Sequence, residues 1–236
     1  MANKTMEIRS ALIKSETTRN NLRPGMDSIP EISMTLATID QIGKMYDALR
    51  ATNEAVNPHE TIEARAMRYE KQFQTTVAKA RDITEVAAAK LDMLAKSNET
   101  RALEQAGLTS GPPTGPEIRS ALRQMPQADR DKAIADAFER GDNEVLSSIY
   151  GHNRVTWGGT SKPLDRQFQQ YIDRNAPDAV KLREAIDKAT EGLGFAADSF
   201  VSSATKWRDP LTAAKGFAQE KEYEQADAAL KAALGE

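Results

Sequence analysis

Residues 57–107 open with Asn57-Pro58-His59-Glu60, run through TIEARAMRYEKQFQTTVAKARDITEVAAAKLDMLAKSNETRALEQ at 61–105, and close on Ala106-Gly107. No proline or glycine interrupts the run between Pro58 and Gly107. Asn57 is a residue that accepts from first-turn amides, and Pro58 has no amide to leave unpaired at the first helical position. Glu60 occupies the capping-box position, and Gly107 suits the left-handed residue that ends a helix. The stretch therefore predicts one helix over 57–106, about 70 Å long at 1.5 Å per residue.

Along that helix Ile62, Ala66, Tyr69, Phe73, Thr76, Ala80, Ile83, Ala87, Lys90 and Leu94 recur in alternating steps of four and three. Such steps make a heptad-like seam for left-handed packing. Upstream, Ile32, Leu36, Ile39, Ile42, Tyr46 and Leu49 mark one face of a helix from Pro30 to Val56. With only Asn57-Pro58 between them, the two helices are expected to fold back as an antiparallel hairpin. The first arm is about half as long as the second, which leaves Val86–Ala106 for the N-terminal helix or another chain to cover. The short N-terminal helix is expected over Thr5–Thr18.

Gly107 to Pro116 holds Gly107, Gly111, Pro112, Pro113, Gly115 and Pro116, too many breakers for a regular element. It reads as a linker. Beyond it, helices are expected at 116–124, 127–140, 142–150, 163–174, 177–190, 195–206 and 210–233, with Gly141, Gly151 and Gly192 as stops. No stretch alternates with period two, so no sheet is placed. The expected fold is all-α: a long antiparallel hairpin at 1–106, a linker at 107–116, and a module of short helices at 117–236. An identical hexapeptide, Glu-Ile-Arg-Ser-Ala-Leu, occurs at 7–12 and 117–122. Nothing flanking it repeats, so no repeat architecture follows.

The chain has 236 residues, 28% of them charged, yet its formal net charge is only −3. That balance disfavours a dedicated nucleic-acid binder, which carries a basic face. The absence of cysteine removes disulfides, thiol nucleophiles and zinc–thiolate sites. No signal-like or membrane-spanning apolar run is present, and the expected setting is a cytoplasm.

His59 and His152 do not form a ligand pair, so neither metal nor cofactor is expected. Gly158-Gly159-Thr160-Ser161-Lys162 lacks the order of a phosphate loop, and Pro163 follows the lysine. The serines around Ser199–Ser203 match no nucleophile elbow. The acidic pairs Glu60/Glu63, Asp82/Glu85 and Glu220/Glu224 fall on solvated faces. No residue set names a reaction, and the chain is read as not an enzyme.

Contacts are the better prospect. Tyr69, Phe73, Ile83 and Leu94 are candidates for a helical seam with a partner. Trp157 and Trp207, each near an arginine, are candidates for a second surface, although each could plug a small core instead. Glu220–Leu234 is an acidic amphipathic helix with Tyr223, Ala226, Leu230, Ala233 and Leu234 on one side. It could dock into a partner's groove or close its own domain.

Residues 117–150 place Glu117-Ile118-Arg119-Ser120-Ala121-Leu122 before the turn Met125-Pro126, with Gly141-Asp142 opening a later helix; Tyr171-Ile172-Asp173-Arg174-Asn175-Ala176-Pro177 follows, with Leu182 and Ile186. This order resembles small helical structural proteins of tailed bacteriophages, over residues 117–186. The resemblance implies a non-enzymatic virion component made in the host cytoplasm, and no catalytic or binding residue. The expected partners are proteins of a large assembly, copies of the chain or capsid, portal or tail proteins, held by two interfaces joined through the linker. The other reading is an internal, scaffolding-like or host-directed adaptor removed after assembly.

Overall fold

A computed structural model describes residues 13–109, 111–159 and 162–234. Among them the chain forms nine α-helices and no strand: α1 Ser15–Asn21, α2 Pro30–Glu54, α3 Ile62–Gln105, α4 Gly115–Gln124, α5 Gln127–Arg140, α6 Asn143–Ile149, α7 Lys162–Asn175, α8 Pro177–Ala204 and α9 Pro210–Leu234. The all-α expectation holds. Most of the expected Thr5–Thr18 helix and the first hexapeptide copy lie outside the described residues. The second copy sits within α4.

The long helix is real but starts four residues later than its apparent caps. Asn57 accepts from the His59 amide at 3.0 Å, and the Glu60 amide donates to the Asn57 carbonyl at 3.1 Å. That local turn competes with a helix start. Thr61 takes the capping role, its hydroxyl accepting from the Ala64 amide at 3.2 Å. Glu60 instead grips Arg68 at 2.8 and 2.9 Å, a pairing that holds the Glu60 carboxyl below its ordinary range. The other end behaves as expected. Gly107 is left-handed at φ +70°; the Leu108 amide donates to Leu103 at 2.8 Å and the Gly107 amide to Glu104 at 3.0 Å.

The chain divides into two compact units, 1–91 with 187–236, and 92–186. This division differs from the expected one, since the boundaries at 91/92 and 186/187 fall within α3 and α8 and residues 107–116 lie inside the second unit.

In the first unit, Ile39, Ile42, Tyr46 and Leu49 of α2 share a core with Tyr69, Phe73, Ala80 and Ala87 of α3 and with Leu193, Ala196, Phe200 and Ala204 of α8. Arg65 donates to the Asn53 carbonyl and Arg68 to that of Thr52, tying the end of α2 to the start of α3. Gly192 does not stop a helix, and α8 is continuous where two helices were expected. A Cβ there would lie 2.2 Å from the Thr18 hydroxyl, so this glycine is needed for close approach of α1. Beside it, the Lys188 amine donates to the Asn21 carbonyl at 2.7 Å, where α1 ends.

In the second unit, Ala102, Ala106 and Leu108 join Leu122, Ile134, Ala137, Leu146, Ile149, Trp157, Phe168, Tyr171 and Ile172 in one core. Rings meet edge-on there, Phe138 with Phe168 at 4.9 Å and Tyr150 with Phe168 at 5.1 Å. The expected linker is docked rather than loose. Leu108 and Gly115 are buried. Thr114 donates to Glu144, and a few residues on Arg119 donates to the Ser148 carbonyl at 2.8 Å.

The seam on α3 also departs from expectation. After Ala87 it steps to Leu91, while Lys90 is exposed, and then continues through half-buried Leu94 to Asn98, Ala102 and Ala106. Each four-residue step overshoots a full turn by about 40°, so the buried stripe winds around the helix. Asn98 donates to the Ala179 carbonyl at 2.8 Å. The buried stripe on the distal half of the long helix is thus covered by this chain's own residues, while Val86 and Met93 on the same half are exposed.

Candidate functional site

Three of the expected interface residues are brought together, but inside the molecule. Tyr69 and Phe73 are 4% and 6% exposed. The Tyr69 hydroxyl donates to the Ala204 carbonyl at 2.9 Å. Trp207 packs against Tyr46 at 5.4 Å between ring centres and meets Tyr69 edge-on at 6.4 Å. Its neighbour Arg208 lies 4.6 Å over the Phe73 ring and donates to Glu70 through two nitrogens at 2.8 and 2.6 Å. Gln74 adds a third donor to Glu70 at 2.9 Å.

This joint fixes the electrostatics of the first unit. The Arg208 hydrogen bonds, with help from Gln74, hold the Glu70 carboxyl below its usual range despite burial. Glu70 in return pushes Arg208 up. Burial pushes the Tyr69 phenol up. A carboxylate so held has no proton to give near neutrality, and both of its oxygens already accept hydrogen bonds. The cluster joins α3 to the end of α8; it is no acid–base pair.

Trp157 is likewise a core residue, 2% exposed in the second unit. The loop behind it is pinned by Arg130, which donates to the carbonyls of Leu122 and Met125 at 2.8 Å each and to that of Gly158. Ile83 packs against the first unit's core and Leu94 is half-buried. Of the six residues, Tyr69, Phe73 and Trp157 are buried within the chain, and Ile83, Leu94 and Trp207 are half-buried. Thr160 and Ser161 of the glycine-rich loop lie outside the described residues.

Each unit holds a cavity lined by described residues. One of about 460 Å³ is lined by Tyr150, His152, Arg154, Trp157, Asp165 and Phe168 among others. Arg154 and Asp165 pair with each other, and burial pushes the Tyr150 phenol up. The second, of about 440 Å³, lies between α1 and α8, lined by Thr18, Ile39, Lys188 and Phe195 among others. Among the described residues no group of three or more His, Asp or Glu side chains is placed to hold a metal. No described helix is long and apolar enough to cross a membrane.

The exposed candidate is the C-terminal half of α9. Its first half is anchored: Ala213 is buried, Lys71 sits 5.5 Å over the Phe217 ring, and Lys71 pairs with Glu220 at 2.9 Å. From 221 to 233 every residue but half-buried Asp227 is exposed. Tyr223 is 73% and Leu230 58% exposed. The segment is helical by composition, rich in Ala, Glu, Lys and Leu, with Asp227 and Lys231 paired at 2.8 Å one turn apart. An isolated helix this short is marginal in water. Its amides from 224 onward should therefore exchange far faster than those of α3 over 73–87, by at least about a hundredfold. Hydrogen-exchange mass spectrometry of the free chain reads this directly, and equal protection would mean the segment is already covered.

Comparison with protein-family models, curated proteins and solved structures gives no match to this chain. Its role therefore rests on the residues themselves. The partners that sequence reasoning missed, Glu70 for Arg208 and Arg130 for three carbonyls, left one signal: Arg208 stands next to Trp207 in a polar segment.

Proposed function

We propose that this chain is a non-enzymatic structural component of a bacteriophage virion, binding another protein of the assembly through the exposed half of α9. One observation carries the protein-binding reading: a helical segment with a tyrosine and a leucine aligned on one face and both exposed. Large apolar side chains in register on a solvated helix are a common docking device. The virion setting is supported by the order of helix signals in residues 117–186. The polar groups that could have suggested catalysis have structural duties, Glu70 clasping Arg208 and Arg154 pairing with Asp165.

Quantitative mass spectrometry of purified particles tests this reading. The polypeptide should be found in mature particles at a fixed ratio to the major structural protein. Presence in precursor particles alone would favour the scaffolding-like role, and absence from both would remove the virion assignment.

A further inference from the structure

We infer that the distal half of α9 docks into an apolar groove rimmed by lysine or arginine on a different protein, not onto a second copy of itself. The inference rests on the protein-binding reading above and names the partner's chemistry. Tyr223, Ala226, Leu230 and Ala233 are spaced three, four and three apart, a seam for one partner surface. The charged residues flanking that seam are Glu222 beside Tyr223 and Asp227 beside Ala226. Both are acidic. The basic residues of the segment, Lys221 and Lys231, lie on the outer side, and Lys231 reaches Asp227 from there.

Two parallel copies would set Glu222 of one against Asp227 of the other, five positions on, and would do so twice. Like charges at these edges oppose association. In the antiparallel arrangement the flanks bring together acids and alanines, so no opposite-charge pair forms there either. A groove with basic rims satisfies both flanks while its floor receives Tyr223 and Leu230. The alanines between them permit close approach.

The test places a photo-reactive benzoylphenylalanine at Tyr223, or separately at exposed Met93 on α3, of the full chain in the cells that naturally make it. Cross-linked peptides are then identified by mass spectrometry. Position 223 should capture one peptide of another protein containing lysine or arginine. The double substitution Glu222→Lys with Asp227→Lys should lower that yield about tenfold. Capture of a second copy at 223, or a yield unmoved by the charge reversal, overturns the inference. Capture from Met93 alone overturns it together with the assignment of protein binding to α9, whereas capture of a second copy at 223 overturns the inference alone. No capture from either position overturns both.

Discussion

Trp157→Ala is expected to destabilise the second unit by about 4 kcal/mol, the cost of emptying a large aromatic from a packed core. The side chain is 2% exposed and shares its core with Leu122, Ile149, Phe168 and Ile172. Removing it leaves a void between α7 and the loop that Arg130 holds, and three carbonyls tied by one guanidinium cannot shift far to fill it. Trp157→Phe should recover most of the loss, since it restores much of the volume in one plane. The chain's two tryptophans fall in different units, so Trp207 fluorescence follows the first unit while hydrogen exchange over 127–172 follows the second. Exchange there should accelerate in Trp157→Ala while the Trp207 signal stays native. Unchanged exchange would return Trp157 to the role of a partner-facing anchor.

What the sequence allowed to be read follows one rule: signals held within a few residues were legible, and those set by distant contacts were not. The helix over 127–140 ends where Gly141 takes a left-handed conformation at φ +69°. The next begins where Asp142 accepts from the Val145 amide at 3.1 Å. Both are local chemistry. Gly192 carries the same letter as Gly141, yet it is shaped by Thr18, far away in the chain. The Gly/Pro segment looked loose because nothing in its own residues announces that Leu108 is buried or that Arg119 holds the Ser148 carbonyl.

The candidate site divides along the same line. Periodicity correctly marked Tyr69 and Phe73 as buried, but a stripe says only that a face is covered, never by which chain. Here α2 and α8 supply the cover. For α9 the stripe of Tyr223, Ala226 and Leu230 was equally legible, and there the fold leaves it bare. Glu70 was invisible as a partner because its cation lies 138 residues away.

That pair supports the second large effect. Arg208→Ala should cost the first unit about 3 kcal/mol near neutral pH, the range for stranding one member of a buried ion pair. Glu70 is 5% exposed and would keep only its Gln74 hydrogen bond. The pH dependence distinguishes this cause from lost packing. In the native chain the folded-state pKa of Glu70 is depressed below its usual 4.5. Its contribution is therefore present above pH 4.5 and lost as pH falls through the folded value. In Arg208→Ala burial dominates instead and raises the folded pKa, so the penalty is full above that raised value and relaxes as acid protonates the carboxyl. The gap between the two proteins should accordingly narrow from pH 7 to pH 4, leaving a residue from the lost contact with Phe73. Urea unfolding followed by Trp207 fluorescence, with Trp157→Phe introduced into both proteins, measures it at the two pH values. Glu70→Gln combined with Arg208→Met should regain much of the stability with no such pH dependence, because neither charge remains to be desolvated. A gap of constant size across that range would show that the guanidinium acts only by filling space over the Phe73 ring.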